Sequence, residues 1–128
     1  MTRALVFLTA LLIVVSFPHA LEDFHYGEFT RLGVPQAYGV LALAIAYAAQ
    51  VAGVTLLVKG RRAGAWLLAL TGAVWAIGAT VIHGHDLLFA GPGYRHGLVS
   101  RALEVAIILT GTATAILGCL RGLDLRLR

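Results

Sequence analysis

Charged residues and cysteines are both scarce in this chain of 128 residues. Charged side chains make up 12% of it, against about a quarter in a soluble domain, while 59% of the residues are hydrophobic. This composition excludes an ordinary soluble domain and indicates a membrane protein. The single cysteine, Cys119, excludes both a disulfide within one chain and a cysteine-based zinc site. We interpret Cys119 as a small buried apolar residue.

Long apolar runs predict the fold. A helix rises ~1.5 Å per residue, so about 20 residues cross a hydrocarbon core ~30 Å thick. We therefore expect an all-α integral membrane four-helix bundle, with residues 1–128 as a single domain. The predicted spans are about 4–24, 36–58, 63–83 and 98–120.

The first apolar run is short for a span, which raises the question of where its helix ends. A secretory signal cleaved after Ala20 would place Pro18 at a position that prefers small residues. We therefore expect the first helix to continue through Pro18, with a kink at the proline.

Small residues recur every three or four positions on the other three spans, which predicts close helix packing. These stripes are Gly39, Ala42, Ala46, Ala49 and Gly53; Ala65, Ala69, Gly72 or Ala73, Ala76 and Thr80; and Gly111, Ala115 and Gly118.

The basic residues predict the orientation. Four spans place both termini and the 59–62 loop on one side, which then carries seven basic residues against three on the other. The seven are Arg3, Lys59, Arg61, Arg62, Arg121, Arg126 and Arg128, and the three are Arg31, Arg95 and Arg101. The positive-inside rule then places both termini in the cytoplasm and the chain in the inner (cytoplasmic) membrane. This distribution explains the pI near 9.8 without a nucleic-acid partner, and the lipid bilayer is the expected surrounding.

With this topology all five histidines fall on the extracytoplasmic side: His19, His25, His83, His85 and His96. Residues three and four apart share a helical face. His19 is followed at these spacings by Glu22 and Asp23, and His83 is followed at three by Asp86. Two separate segments therefore each present an imidazole and a carboxylate at one membrane surface.

Imidazole together with carboxylate suits zinc, iron, manganese or copper better than calcium or magnesium. A site with open coordination positions can activate water or oxygen. The pattern therefore predicts a transition-metal site formed by His19, Glu22, Asp23, His83, His85 and Asp86.

Glu104 is a further candidate for the site. Arg101 lies three residues before it, and the two either form a pair on the helix surface or place Glu104 inside the bundle, held ionised by Arg101. His25, Glu28 and His96 are expected to be solvated surface residues.

The segment His19-Ala20-Leu21-Glu22-Asp23 resembles the signature of the HXXEE family of small bacterial membrane proteins. Asp23 replaces the final glutamate, which shortens that side chain by one methylene. The resemblance covers these five residues and a similar multi-span layout. It implies a metal-dependent membrane enzyme in which His19, Glu22 and Asp23 belong to the site.

Two functions remain open at this stage. One is metal-dependent chemistry on a lipophilic substrate. The other is a non-catalytic accessory or structural subunit of a larger membrane complex, or a homo-oligomer, because small-residue faces also pack against partner helices. A single haem near the outer surface also stays open. A transporter is disfavoured, since the middle of the spans offers only Tyr47, Gln50, Thr71 and Thr110 as polar groups.

Overall fold

The computed structural model describes residues 1–91 and 93–124, and within them it forms five helices. These are α1 (Thr2–His25), α2 (Glu28–Arg31), α3 (Gln36–Val58), α4 (Arg62–Phe89) and α5 (Leu98–Asp124). The four long helices are each long and apolar enough to cross a membrane. The prediction of an all-α four-helix membrane bundle is confirmed. Pro92, Arg126 and Arg128, the last two used in the orientation prediction, lie outside the described residues.

Helix α1 continues through Pro18 and ends at His25, as the sequence predicts. Proline has no N–H, so the helix loses one backbone hydrogen bond there. The continuation matters because it places His19, Glu22 and Asp23 on helical backbone. The first two of these are buried against the other helices.

Helix α4 extends six residues beyond the predicted end of its span, to Phe89. The polar residues from His83 onward suggested an exit from the membrane at that point. In the structure His83 is instead buried within the bundle, about 9 Å along the axis before the end of its helix.

Glycines bring α4 into close contact with α3 and α5. A Cβ on Gly64 would lie 2.6 Å from the carbonyl oxygen of Gly53, and a Cβ on Gly72 would lie 2.7 Å from that of Gly111. A Cβ on Gly118 would lie 2.8 Å from the carbonyl oxygen of Ala65. The predicted stripes on α4 and α5 therefore do pack the helices together.

The stripe on α3 behaves differently along its length. Gly39 packs against the ring of Phe29 and Gly53 packs against Leu68. Between them, Ala42 and Ala46 line a cavity. Small side chains on the middle of α3 therefore line a cavity, whereas small side chains on α4 and α5 allow those two helices to pack closely.

Two apolar clusters fill the interior. One joins Leu5 near the start of α1 to Leu57, Ala65 and Leu68, which flank the α3–α4 turn. The other joins Leu12 to Ala79 and Ile107, nearer the opposite end. The histidines of α1 and α4 lie beyond this second cluster, at the end away from the α3–α4 turn.

Candidate metal centre

Helices α1 and α4 bring three ligand-type side chains together: His19, Asp23 and His83. Each offers one ligand atom, and these three atoms lie within 4.8 Å of one another. Oδ2 of Asp23 is 3.6 Å from Nε2 of His19 and 3.5 Å from Nε2 of His83. The two imidazole rings meet edge to face with centroids 4.7 Å apart. The arrangement is a set of two imidazoles and one carboxylate.

Both imidazoles are withdrawn from solvent. His19 is 3% exposed and His83 is 2% exposed. Among the residues described, neither ring nitrogen of His19 has a hydrogen-bond partner, and Nδ1 of His83 also lacks one. A buried polar atom without a hydrogen bond costs roughly 1–3 kcal/mol, so a further binding partner is expected for these nitrogens. A cation bound between the rings and Asp23 would be such a partner.

A second carboxylate stands behind each imidazole. Oε2 of Glu22 is 3.7 Å from Nδ1 of His19, and Oε1 of Glu104 is 3.9 Å from Nδ1 of His83. A histidine that binds a metal through one nitrogen commonly directs its other nitrogen to a carboxylate, which fixes the ring. Glu22 and Glu104 lie on the Nδ1 side of the two rings, slightly beyond hydrogen-bond distance.

These two carboxylates are themselves held by α5 and the loop before it. Ser100 donates a hydrogen bond of 2.7 Å to Oε1 of Glu22, and Nδ1 of His96 lies 2.5 Å from the same oxygen. The hydroxyl of Tyr94 donates to Oε1 of Glu104 at 2.8 Å. Burial and this bond to Glu104 raise the pKa of the Tyr94 hydroxyl.

Arg95 connects the loop after α4 to the acidic side chains of α1 and α2. Its guanidinium donates to Oδ1 of Asp23 at 2.6 Å and to Oε2 of Glu28 at 2.8 Å. Burial opposes its charge, but the hydrogen bond and the charge of Asp23 outweigh this and raise the pKa of Arg95. Its backbone has φ 44°, a region that non-glycine residues seldom adopt. Because Arg95 binds Oδ1, Oδ2 of Asp23 is left facing the two imidazoles.

The structure does not bring His85 and Asp86 into this group. His85 is 82% exposed, and its Nδ1 is 3.5 Å from Oδ1 of Asp86. With 3.6 residues per turn, two positions along a helix turn a side chain to nearly the opposite face. His85 therefore points away from the bundle while His83 points into it.

The predicted surface residues divide into two kinds. His25 is exposed, as expected. Glu28 is buried at 6% exposure and forms ion pairs with Arg95 and Arg31, so the expectation that it is a solvated residue is wrong. His96 is exposed but also bonds to Glu22.

Arg101 and Glu104 do not act together. Glu104 is fully buried and faces the interior, which was one of the two alternatives. Arg101 instead donates to the backbone carbonyls of Ala90 and Gly91, where α4 ends. The residue that hydrogen-bonds Glu104 is instead Tyr94.

Arg95, Ser100 and Tyr94 are site residues that the sequence did not reveal. They lie in an irregular loop or on the first turn of α5, where no periodic pattern shows which way a side chain points. The one available signal was that Arg95 lies on the same side as the acids.

A cavity of about 250 Å³ adjoins the three-residue group. His19, Asp23 and His83 line one end of it, and the rest is apolar, with Ala42, Ala46, Trp75 and Gly78 among the lining residues. Two further lining residues, Val74 and Ile82, are 57% and 38% exposed on the outer surface of the bundle. The cavity thus reaches the lateral surface of the membrane-spanning helices.

Comparison with protein-family models, with curated proteins and with solved structures finds no match for this chain. What the site does must therefore be inferred from its own geometry.

Proposed function

We propose that this multi-pass membrane protein binds one transition-metal ion through Nε2 of His19, Oδ2 of Asp23 and Nε2 of His83. The observation that carries the proposal is the convergence of these atoms within 4.8 Å, with His19 buried and without a hydrogen-bond partner among the described residues. Three ligands at about 2.1 Å from a tetrahedral ion stand roughly 3.4 Å apart. The distances of 3.5 and 3.6 Å to Asp23 fit that spacing.

Two histidines and one carboxylate suit zinc, non-haem iron, manganese or copper. With three protein ligands, such an ion keeps an open position and supplies Lewis-acid chemistry or an activated water. Glu22 and Glu104 would orient the imidazoles, and Arg95 would fix Asp23. This assignment agrees with the resemblance to the HXXEE family, whose motif positions here are His19, Glu22 and Asp23.

We further propose that the chemistry acts on a lipophilic substrate. The apolar cavity beside the three ligands supports this, because a water-soluble substrate would find few polar partners there. The basic residues favour placing the site on the extracytoplasmic side of the inner (cytoplasmic) membrane.

Metal analysis of the purified protein tests the assignment. We expect about one ion per wild-type chain in mild detergent, and loss of the ion in His19→Ala, Asp23→Ala and His83→Ala. His85→Ala is the matched control, since His85 is exposed on the same helix as His83, and it should keep the ion. Equal metal content in all five proteins would refute the assignment. Circular dichroism checks that each variant is folded.

An accessory subunit is the second candidate. It is supported by α3, the least buried of the four long helices, which leaves much of its surface free for a partner helix. Gentle purification from native membranes tests it. A defined partner that stays bound, and is lost when bulky residues are placed on the free face of α3, would favour this function.

A further inference from the structure

We infer that the cavity holds the hydrocarbon chain of a single-chain amphiphile, with its oxygen-bearing end at the metal site. A long-chain acid, alcohol or aldehyde has this chemistry. The inference rests on the proposed function, because it names the substrate class of the same site.

The ionisable side chains that line the cavity all lie at one end. Along α4 its lining runs from His83 back to Val74, nine residues or roughly 13 Å of helix. His19, Asp23 and His83 form one end, and Val74 and Trp75 lie at the other. A matching ligand has a polar group at one end followed by an unbranched apolar chain.

The size of the cavity points to one chain. A volume of about 250 Å³ equals the liquid volume of about eight water molecules at ~30 Å³ each. This space suits a single alkyl segment, and it is small for the paired chains of a diacyl lipid. Water is a poor occupant over most of its length, because a buried water needs two to four polar partners.

The opening lies where a membrane amphiphile would arrive. Val74 and Ile82 are exposed on α4 within its membrane-spanning stretch, so the cavity opens toward the hydrocarbon of the bilayer. The candidate metal site lies near one membrane surface, and Trp75 lies near the middle of α4. A ligand that spans the two therefore has its polar end toward that membrane surface. Lipids of that leaflet have the same orientation.

The cavity exists because some small residues that line it do not contact a neighbouring helix. A Cβ on Gly78 would meet nothing within 4 Å, whereas a Cβ on Gly72, less than two turns away, would strike the backbone of α5. Ala46 faces the same cavity from α3. Larger residues at Gly78 or Ala46 would fill the cavity without disturbing the α4–α5 contact.

Fluorescence of Trp75 tests the inference directly. Trp66 is the second tryptophan, so a Trp66→Phe background leaves Trp75 as the single reporter. The probe is dodecanoic acid brominated either beside the carboxyl group or at the end of the chain, titrated into the metal-loaded protein in detergent. We expect saturable quenching, competed by unbrominated acid, and stronger with the terminal bromine because the tail lies near Trp75.

Variants distinguish binding in the cavity from partitioning of the acid into the detergent. Gly78→Leu and Ala46→Leu should weaken binding of the terminally brominated acid roughly tenfold, the scale expected for overfilling a packed site. Ala48→Leu is the matched control, because Ala48 is exposed on α3 and does not line the cavity. It should bind like the parent protein.

Several results would overturn the inference. Quenching that rises linearly and ignores Gly78→Leu would do so, as would stronger quenching by the bromine beside the carboxyl group. A dimer that Gly78→Leu converts to a monomer would show that a second copy covers the cavity instead.

The same titration keeps the two proposals apart. If metal binding is confirmed but quenching does not saturate, the inference fails and the metal site stands. If quenching saturates in a protein that binds no metal, the metal proposal fails, and the placement of the polar end at a metal fails with it.

Discussion

Arg95 is the only described cation in hydrogen-bond contact with Asp23, and it also pairs with Glu28. Removing one partner of a buried ion pair costs about 3–5 kcal/mol, because the remaining charge is left uncompensated. Arg95→Met should therefore lower the thermal stability of the metal-free protein. A bound metal ion should then recover more stability in this variant than in the wild type, since the ion becomes the cation beside Asp23. Thermal unfolding with and without metal measures both effects.

Arg31→Met is the control for this variant. Arg31 pairs with the same Glu28, but its side chain is 64% exposed, and exposed pairs contribute little. It should leave both the stability and the effect of metal nearly unchanged. An equal gain from metal in wild type and in Arg95→Met would show that Arg95 does not act on the ligand set.

At this scale helical spacing and topology made His19, Asp23 and His83 candidate ligands, because helix periodicity fixes which residues share a face. The structure brings these three side chains together. The sequence prediction also included His85, because the dense polar stretch from His83 to Asp86 does not show which side chains point inward. Asp86 was included because a spacing of three places it on the same helical face as His83. Residues 93–97 lie in a loop without helical periodicity, so Arg95 and Tyr94 could not be assigned.

Among the elements, α4 contains four glycines, and two of them differ in how closely a neighbouring helix approaches. Gly72 touches the backbone of α5, whereas Gly78 faces open space. Gly72→Ala should destabilise the protein by about 1–3 kcal/mol through steric overlap. Gly78→Ala should be neutral, or should stabilise it by up to about 1 kcal/mol, because alanine favours helix more than glycine does.

Unfolding in detergent, followed by circular dichroism, compares these two identical changes on one helix. Equal stability of the two variants would contradict the close α4–α5 packing. The spacing of small residues predicted that α4 and α5 are contact surfaces, and the structure confirms it. On α3 the same spacing of small residues also occurs along a cavity wall. A small residue allows a neighbouring helix to approach, but it does not ensure that one does.

For the whole molecule, the orientation remains a prediction from the basic residues. In a Cys119→Ser background, the single thiol of His85→Cys should react in intact cells with a membrane-impermeant maleimide. The thiol of Lys59→Cys should react only after the cells are permeabilised. Both positions are exposed. His85 lies near the carboxyl end of α4, and Lys59 directly follows α3, at the other end of the bundle. The reverse labelling pattern would place the site on the cytoplasmic side.

The proposed ligand set is divided between the two halves of the chain. His19 and Asp23 come from α1, whereas His83 comes from α4, and the turn that joins the halves, at residues 59–61, lies at the other end of the bundle. A nascent chain with only α1 and α3 inserted holds two of the three proposed ligands. Metal capture would then mark the completion of membrane insertion. In two separately expressed halves, a bound ion would add a bridge to the apolar packing of Leu5 and Leu57 against Leu68.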